Sequence, residues 1–183
     1  MPSSAVIADR RVAAIACAGT GVLPLLHWLV ADVSYDATSQ QHEWLFVLFF
    51  SAVILVFAPG FLAVAGRVSS RGARRAADLV AVVSVAASLT NIVEDGLGVE
   101  VAFLAFVAEL LLFHLSCLGM GFLILLRESG LDRLWAAVPV GTVAGIVLYV
   151  ELGGPLLAVT WLSAAMGCVL SRPVLDPVHP AQS

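Results

Sequence analysis

Lysine is absent from this 183-residue chain. That absence excludes a Schiff base to retinal or pyridoxal, and with it one branch of covalent catalysis. Charge of either sign is scarce: 12% of residues are charged against 61% hydrophobic, and the mean hydropathy is +1.02. A soluble domain is nearer half apolar and a quarter charged, so this chain has too few polar side chains to coat a core in water. Its three cysteines, Cys17, Cys117 and Cys168, form no CxxC pair and read as small apolar packing residues. There is no HxxxH or HExxH spacing, phosphate loop, GxSxG elbow or paired-aspartate motif, so standard metal, nucleotide and hydrolase chemistries lack support. A net charge of −4, with the basic residues in short clusters, argues against a nucleic-acid partner.

Long apolar runs take the place of those motifs. Six can be drawn, over 12–31, 44–66, 76–93, 101–126, 134–150 and 155–170. Each lies near the roughly 17–25 residues that a helix needs to cross the hydrocarbon of a bilayer. Water cannot satisfy backbone groups there, so every span is expected to be an α-helix. The last two are short and separated only by Glu151-Leu152-Gly153-Gly154, which leaves a tight hairpin or a re-entrant pair open. The first span is read as retained and not as a cleaved signal, because no small-x-small site precedes Asp32.

The charges set the orientation. All nine basic residues are arginines: Arg10, Arg11, Arg67, Arg71, Arg74, Arg75, Arg127, Arg133 and Arg172. With the amino terminus inside, every one falls in an inner segment. The outer segments then hold Asp32, Asp36, Glu43, Glu94, Asp95, Glu100 and Glu151 and no basic residue, so the positive-inside rule puts both termini in the cytoplasm. The expected fold is an all-α integral membrane protein, a compact bundle of six transmembrane helices. Residues 1–172 form its single domain and 173–183 a short disordered cytoplasmic tail. Lack of lysine beside abundant alanine, valine and arginine matches a GC-rich bacterial coding bias, hence a bacterial cytoplasmic membrane.

Helix contacts and anchors are also legible. Gly141-x3-Gly145, Ala14-x3-Ala18 and Ser84-x3-Ser88 permit close approach, within the monomer or in a homodimer. Trp28 and Trp44 are expected near the outer boundary and Trp135 near the inner one. Pro24 is expected to bend the first span. Thr20, Ser51, Ser84, Ser88, Thr142, Tyr149, Thr160 and Ser163 read mostly as interhelical glue.

Glu109 is the one acid inside a span, roughly 12–14 Å below the outer face at the rise of an α-helix. An acid at that depth is costly unless paired or protonated. It is therefore a candidate proton carrier, ligand group or catalytic acid, or a neutral carboxyl bonded to a neighbouring helix. His114 lies about 140° around the same helix and so faces elsewhere. It reads as a packing residue, a haem or metal ligand, or a proton relay. His27, near Pro24, is similar, but its depth differs from that of His114, which disfavours a shared haem. Asn91 and Glu94, with Asp95, end the third span, where acids meet the negative end of the helix dipole. They are solvated loop acids or the edge of a hydrated, cation-holding vestibule.

Three functions follow from these residues. One is a transport or solute-binding component, holding a small molecule or ion in an outer-half polar cavity of His27, Asn91, Glu94 and Glu109. Six spans with both ends inside and an alanine-rich first helix resemble the architecture of substrate-binding subunits of energy-coupling-factor vitamin importers, which implies solute binding. A second is a membrane-embedded enzyme acting on a lipid, isoprenoid or quinone, with Glu109 as general acid and His114 as partner. A third is a structural or assembly subunit whose Glu109 pairs with another chain. The partners expected are the lipid bilayer, a small ligand, and a second copy or another membrane subunit; the cofactor is unknown.

Overall fold

The computed structural model of the protein describes residue 7 and residues 9–34, 40–99 and 101–170, without the side chains of 31–34, 40–43, 101 and 150. The tail at 173–183, Arg172, and the side chains of Asp32, Asp36, Glu43 and Glu100 lie outside the described residues. All described regular structure is helical: α1 (Arg10–Ser34), α2 (Gln40–Leu55), α3 (Phe57–Ala65), α4 (Arg71–Asn91), α5 (Val101–Arg127), α6 (Ala137–Val147) and α7 (Gly154–Leu170). Six stretches are long and apolar enough to cross a membrane: Arg10–Val30, Trp44–Ala65, Arg71–Gly96, Ala102–Arg127, Gly130–Val147 and Glu151–Leu170. Between 33% and 44% of each stretch is buried inside the protein. The remainder is half-buried or exposed, and its exposed part, which includes Ile15, Leu104 and Val159, is the kind of apolar surface that a bilayer covers.

One span is built from two helices, and its break has a local cause. Pro59 has no N–H to give the carbonyl one turn before it, so the helix interrupts between α2 and α3. Gly60 N–H reaches the Val56 carbonyl only at 3.4 Å, and the Thr20 hydroxyl from α1 donates to that same oxygen at 2.9 Å. A side chain at Gly60 would collide with Thr20 and with the Trp161 ring. The break is thus held by a neighbouring hydroxyl, as exposed backbone inside a bilayer requires.

Successive spans run antiparallel. Gly141 packs on Thr160 and Gly145 on Leu157, so α6 and α7 form a full hairpin closed by a π-helical turn, Tyr149–Gly153. The glycine pair therefore serves contact within the chain. Along α1 and α7, Cys17 lies beside Cys168, Gly21 beside Trp161 and Ala158, and Trp28 beside Gly154. The first and last spans close the bundle on each other, and the two ends of the described chain share one end of it. Phe57, Phe61, Phe113 and Trp161 fill the centre with ring centroids 5.1–6.2 Å apart.

The bundle is polarised. Every described arginine sits at the end where α1 begins and α7 ends, whereas Glu94, Asp95 and Glu151 sit at the other. At the acidic end, a π-helical turn (Ile92–Gly96) and Gly98 at φ +68° stop the third span, where a left-handed residue favours glycine. At the arginine end, buried Glu128 accepts from Ser69 N–H at 2.7 Å, Ser70 N–H at 2.8 Å and the Ser69 hydroxyl. Ser70 in turn caps α4 by accepting from Ala73 N–H. Trp135 turns inward, 9% exposed, because Gly167 leaves room for its ring.

Candidate functional site

A cavity of about 210 Å³ opens among α2, α3, α4, α5, α6 and α7. Its walls are apolar and rich in rings, with Phe50 and Phe57 on one side and Phe106 and Phe113 on another. Leu157 and Tyr149 complete it. None of His27, Asn91, Glu94 or Glu109 lines it directly. Two of them border it through their neighbours.

His27, 4% exposed, is packed against Phe46, Phe49 and Phe50 with ring centroids 5.0–5.3 Å away. Its Nδ1 lies 2.9 Å from the Tyr149 hydroxyl, and that hydroxyl donates to the Pro24 carbonyl at 2.9 Å. A phenol has one proton to give. With that proton on Pro24, Nδ1 of His27 must be the donor to Tyr149, and in the neutral ring Nε2 is left as a bare acceptor. Nε2 is buried and has no hydrogen-bond partner. Phe50 and Tyr149 are both cavity walls, and both rings pack on His27.

Glu109 lies on α5, outside the cavity lining. It lies one turn from both Phe106 and Phe113 on α5, and its Oε1 accepts from the Thr90 hydroxyl at 3.2 Å. Thr90 is itself one turn beyond the cavity residue Ala87. The second oxygen, Oε2, is buried and has no partner. The carboxyl is thus half-satisfied and borders an apolar space.

The other predicted residues are placed differently. Asn91, 1% exposed, donates to the Ser51 hydroxyl at 3.0 Å, and Ser88 donates to the Ser51 carbonyl at 3.0 Å. This ladder fastens α4 to α2. Glu94 is partly exposed in the π-helical turn at the acidic end. His114 stays with its own helix, its Nδ1 2.6 Å from the Leu110 carbonyl. The structure therefore brings His27 to Tyr149, Asn91 to Ser51 and Glu109 to Thr90, and bonds none of the four candidates to another. Among the described residues no three His, Cys, Asp or Glu side chains converge as a metal site would need.

Of the hydroxyls expected to act as glue, Thr20, Ser88 and Tyr149 do reach other helices, while Ser84 and Thr142 bond back to carbonyls of their own turn. Back-bonding satisfies a hydroxyl locally and costs no partner. Sequence reasoning missed the weight of Tyr149, Arg67 and Glu128. The phenylalanine run ending at Phe50 was the available signal for a ring-lined cavity.

No protein-family profile, no curated protein and no solved structure matches the chain.

Proposed function

We propose that this polytopic membrane protein binds a lipid-soluble alcohol, of the isoprenoid-alcohol or quinol class, in the ring-lined cavity. The observation that carries the reading is the pairing of apolar walls with one unmet acceptor, Nε2 of His27, and one half-satisfied carboxyl, Glu109. An apolar tail fills walls of phenylalanine and leucine, and a hydroxyl passing between the wall residues Phe50 and Tyr149 would supply the donor that His27 lacks. Buried polar groups without partners disfavour an empty site and reward a ligand that completes them. The arginine distribution supports insertion in a bacterial cytoplasmic membrane with both termini inside.

The test is lipid extraction and mass spectrometry on the full chain purified in mild detergent, followed by thermal unfolding with added candidates. A retained prenyl alcohol or quinol that raises the Tm supports the reading, because a ligand of the native state stabilises it. His27→Phe should remove that shift and leave the unliganded Tm near its original value. Absence of any shift from prenyl alcohols, quinols and their oxidised forms overturns it.

A second reading shares the site. Glu109, one turn from the cavity residues Phe106 and Phe113, would act as a general acid on an isoprenoid or quinone, since a neutral carboxyl in lipid is still a proton donor. Conversion of the bound lipid, abolished in Glu109→Gln while binding persists, distinguishes enzyme from binder.

A further inference from the structure

At the arginine end, four arginines gather at one junction, around a carboxylate that backbone donors already occupy. Glu128 accepts from Ser69 N–H at 2.7 Å, Ser70 N–H at 2.8 Å and the Ser69 hydroxyl at 2.9 Å, which ties the end of α5 to the start of α4. Arg71 follows Ser70 and Arg127 precedes Glu128, so this knot brings the two positions together. Arg133 returns from the 3-10 turn Gly130–Ala136, and its Nε donates to the Glu128 carbonyl at 2.9 Å. Arg74 Nε donates to the carbonyl of Val68, the residue before Ser69, at 3.0 Å. Arg71, Arg127 and Arg133 are exposed and Arg74 is half-buried. The exposed acid nearby is Asp132, and Asp78 lies two turns into α4. Arg67, two residues before Ser69, is 2% exposed, and none of its guanidinium nitrogens has a well-formed hydrogen bond. Salt screens an enclosed charge little, so Arg67 adds to the positive potential at this end. A second feature is apolar. Leu131 and Leu134 are 82% and 68% exposed, and residues three apart eclipse on a 3-10 helix, so both leave the turn on one side.

We propose that the α4–α5 junction binds an anionic phospholipid, with its phosphodiester on Arg71, Arg127 and Arg133 and its acyl chains against Leu131 and Leu134. Each part of the ligand answers one observation. A guanidinium is a planar fork that can give two parallel N–H groups to two phosphate oxygens. The Nε bond of Arg133 to the Glu128 carbonyl orients that fork and leaves its two Nη groups to donate. Arginines alone would suit any anion, but an exposed leucine pair on the same turn as Arg133 suits an amphiphile. A zwitterionic headgroup carries its own ammonium, which this positive junction repels, so the site favours a lipid with net negative charge. The lipid would then brace the link from α5 through the 3-10 turn to α6. The cavity does not share this site: it is lined by Ala87 of α4 and by Phe106, Leu110 and Phe113 of α5, several turns away.

The full chain purified in mild detergent would be titrated with phosphatidylglycerol, phosphatidylcholine or inorganic phosphate, and followed by native mass spectrometry and thermal unfolding. Phosphatidylglycerol should be retained and raise the Tm, and the other two at equal concentration should not. Arg71→Gln combined with Arg127→Gln should weaken phosphatidylglycerol binding roughly thirtyfold. The matched pair Arg10→Gln and Arg11→Gln removes the same charge from exposed positions at the start of α1, and should leave the affinity close to its original value. Leu131→Ser combined with Leu134→Ser should also weaken the lipid. Should the Arg71 and Arg127 pair not fold when changed, the comparison of the three ligands on the unaltered chain decides alone. Equal binding of the two lipids, or equal loss from both arginine pairs, overturns the proposal, because the end of the bundle would then attract anions without a site. Stabilisation by inorganic phosphate alone overturns it too, since the acyl chains would play no part.

Discussion

Two acids, one in the middle of the fourth span and one just past its end, live differently. Glu128, just past the end of α5, is buried and meets two backbone N–H groups and a hydroxyl at the start of α4. That is the positive end of a helix dipole, where an anion is stabilised twice over. Glu109, in the middle of α5, is partly buried and meets one hydroxyl at 3.2 Å, with a second oxygen left bare. The first arrangement is closed, because every oxygen has donors supplied by the chain. The second is open, because a partner is missing that the chain does not provide. Closed polar groups fix architecture; open ones at a cavity wall are where a ligand gains most.

That contrast can be broken by substitution. Glu128→Ala should have the largest effect, on the order of 3 kcal/mol of destabilisation, since it removes the charged acceptor of two adjacent backbone N–H groups and a hydroxyl at the start of α4. Thermal unfolding in detergent checks it, and a Tm close to that of the unaltered chain would remove Glu128 from its structural role. Glu109→Gln should cost less than about 1 kcal/mol, because the amide oxygen still accepts from Thr90. Its effect should fall on ligand-induced stabilisation instead. If Glu109→Gln unfolds the protein as readily as Glu128→Ala, the distinction between the two acids fails. His114→Ala should move stability least, within about 0.5 kcal/mol, as its bond stays inside its own turn and its ring is partly exposed. A large loss of stability or of ligand binding there would reveal a role that its contacts do not explain.

Much of the fold was legible residue by residue. The apolar runs anticipated all six spans, with edges shifted by a few residues: the third begins at Arg71 and the fifth at Gly130. Those shifts arise because helix ends are set by caps, here Ser70, and by a 3-10 lead-in over Gly130–Ala136, and hydropathy does not register either. Gly141-x3-Gly145 identified a true contact face. Glu109 stood out by depth alone. Glu128, by contrast, read only as one more acid near the arginines, since its partners Ser69 and Ser70 lie nearly sixty positions earlier in the chain. His27 and Tyr149 were separated by still more, and Tyr149 carried no mark that set it apart from other span hydroxyls.

Composition and order along the chain determined that six helices form and that arginine gathers at one end of the bundle. In an apolar medium each backbone must bond to itself, and that requirement is met locally, within a few residues of every donor. Which polar side chains end satisfied and which end bare was decided only when distant helices came together. The unpaired Nε2 of His27 and the bare oxygen of Glu109 both depend on partners brought from other spans, and no local pattern encodes those meetings.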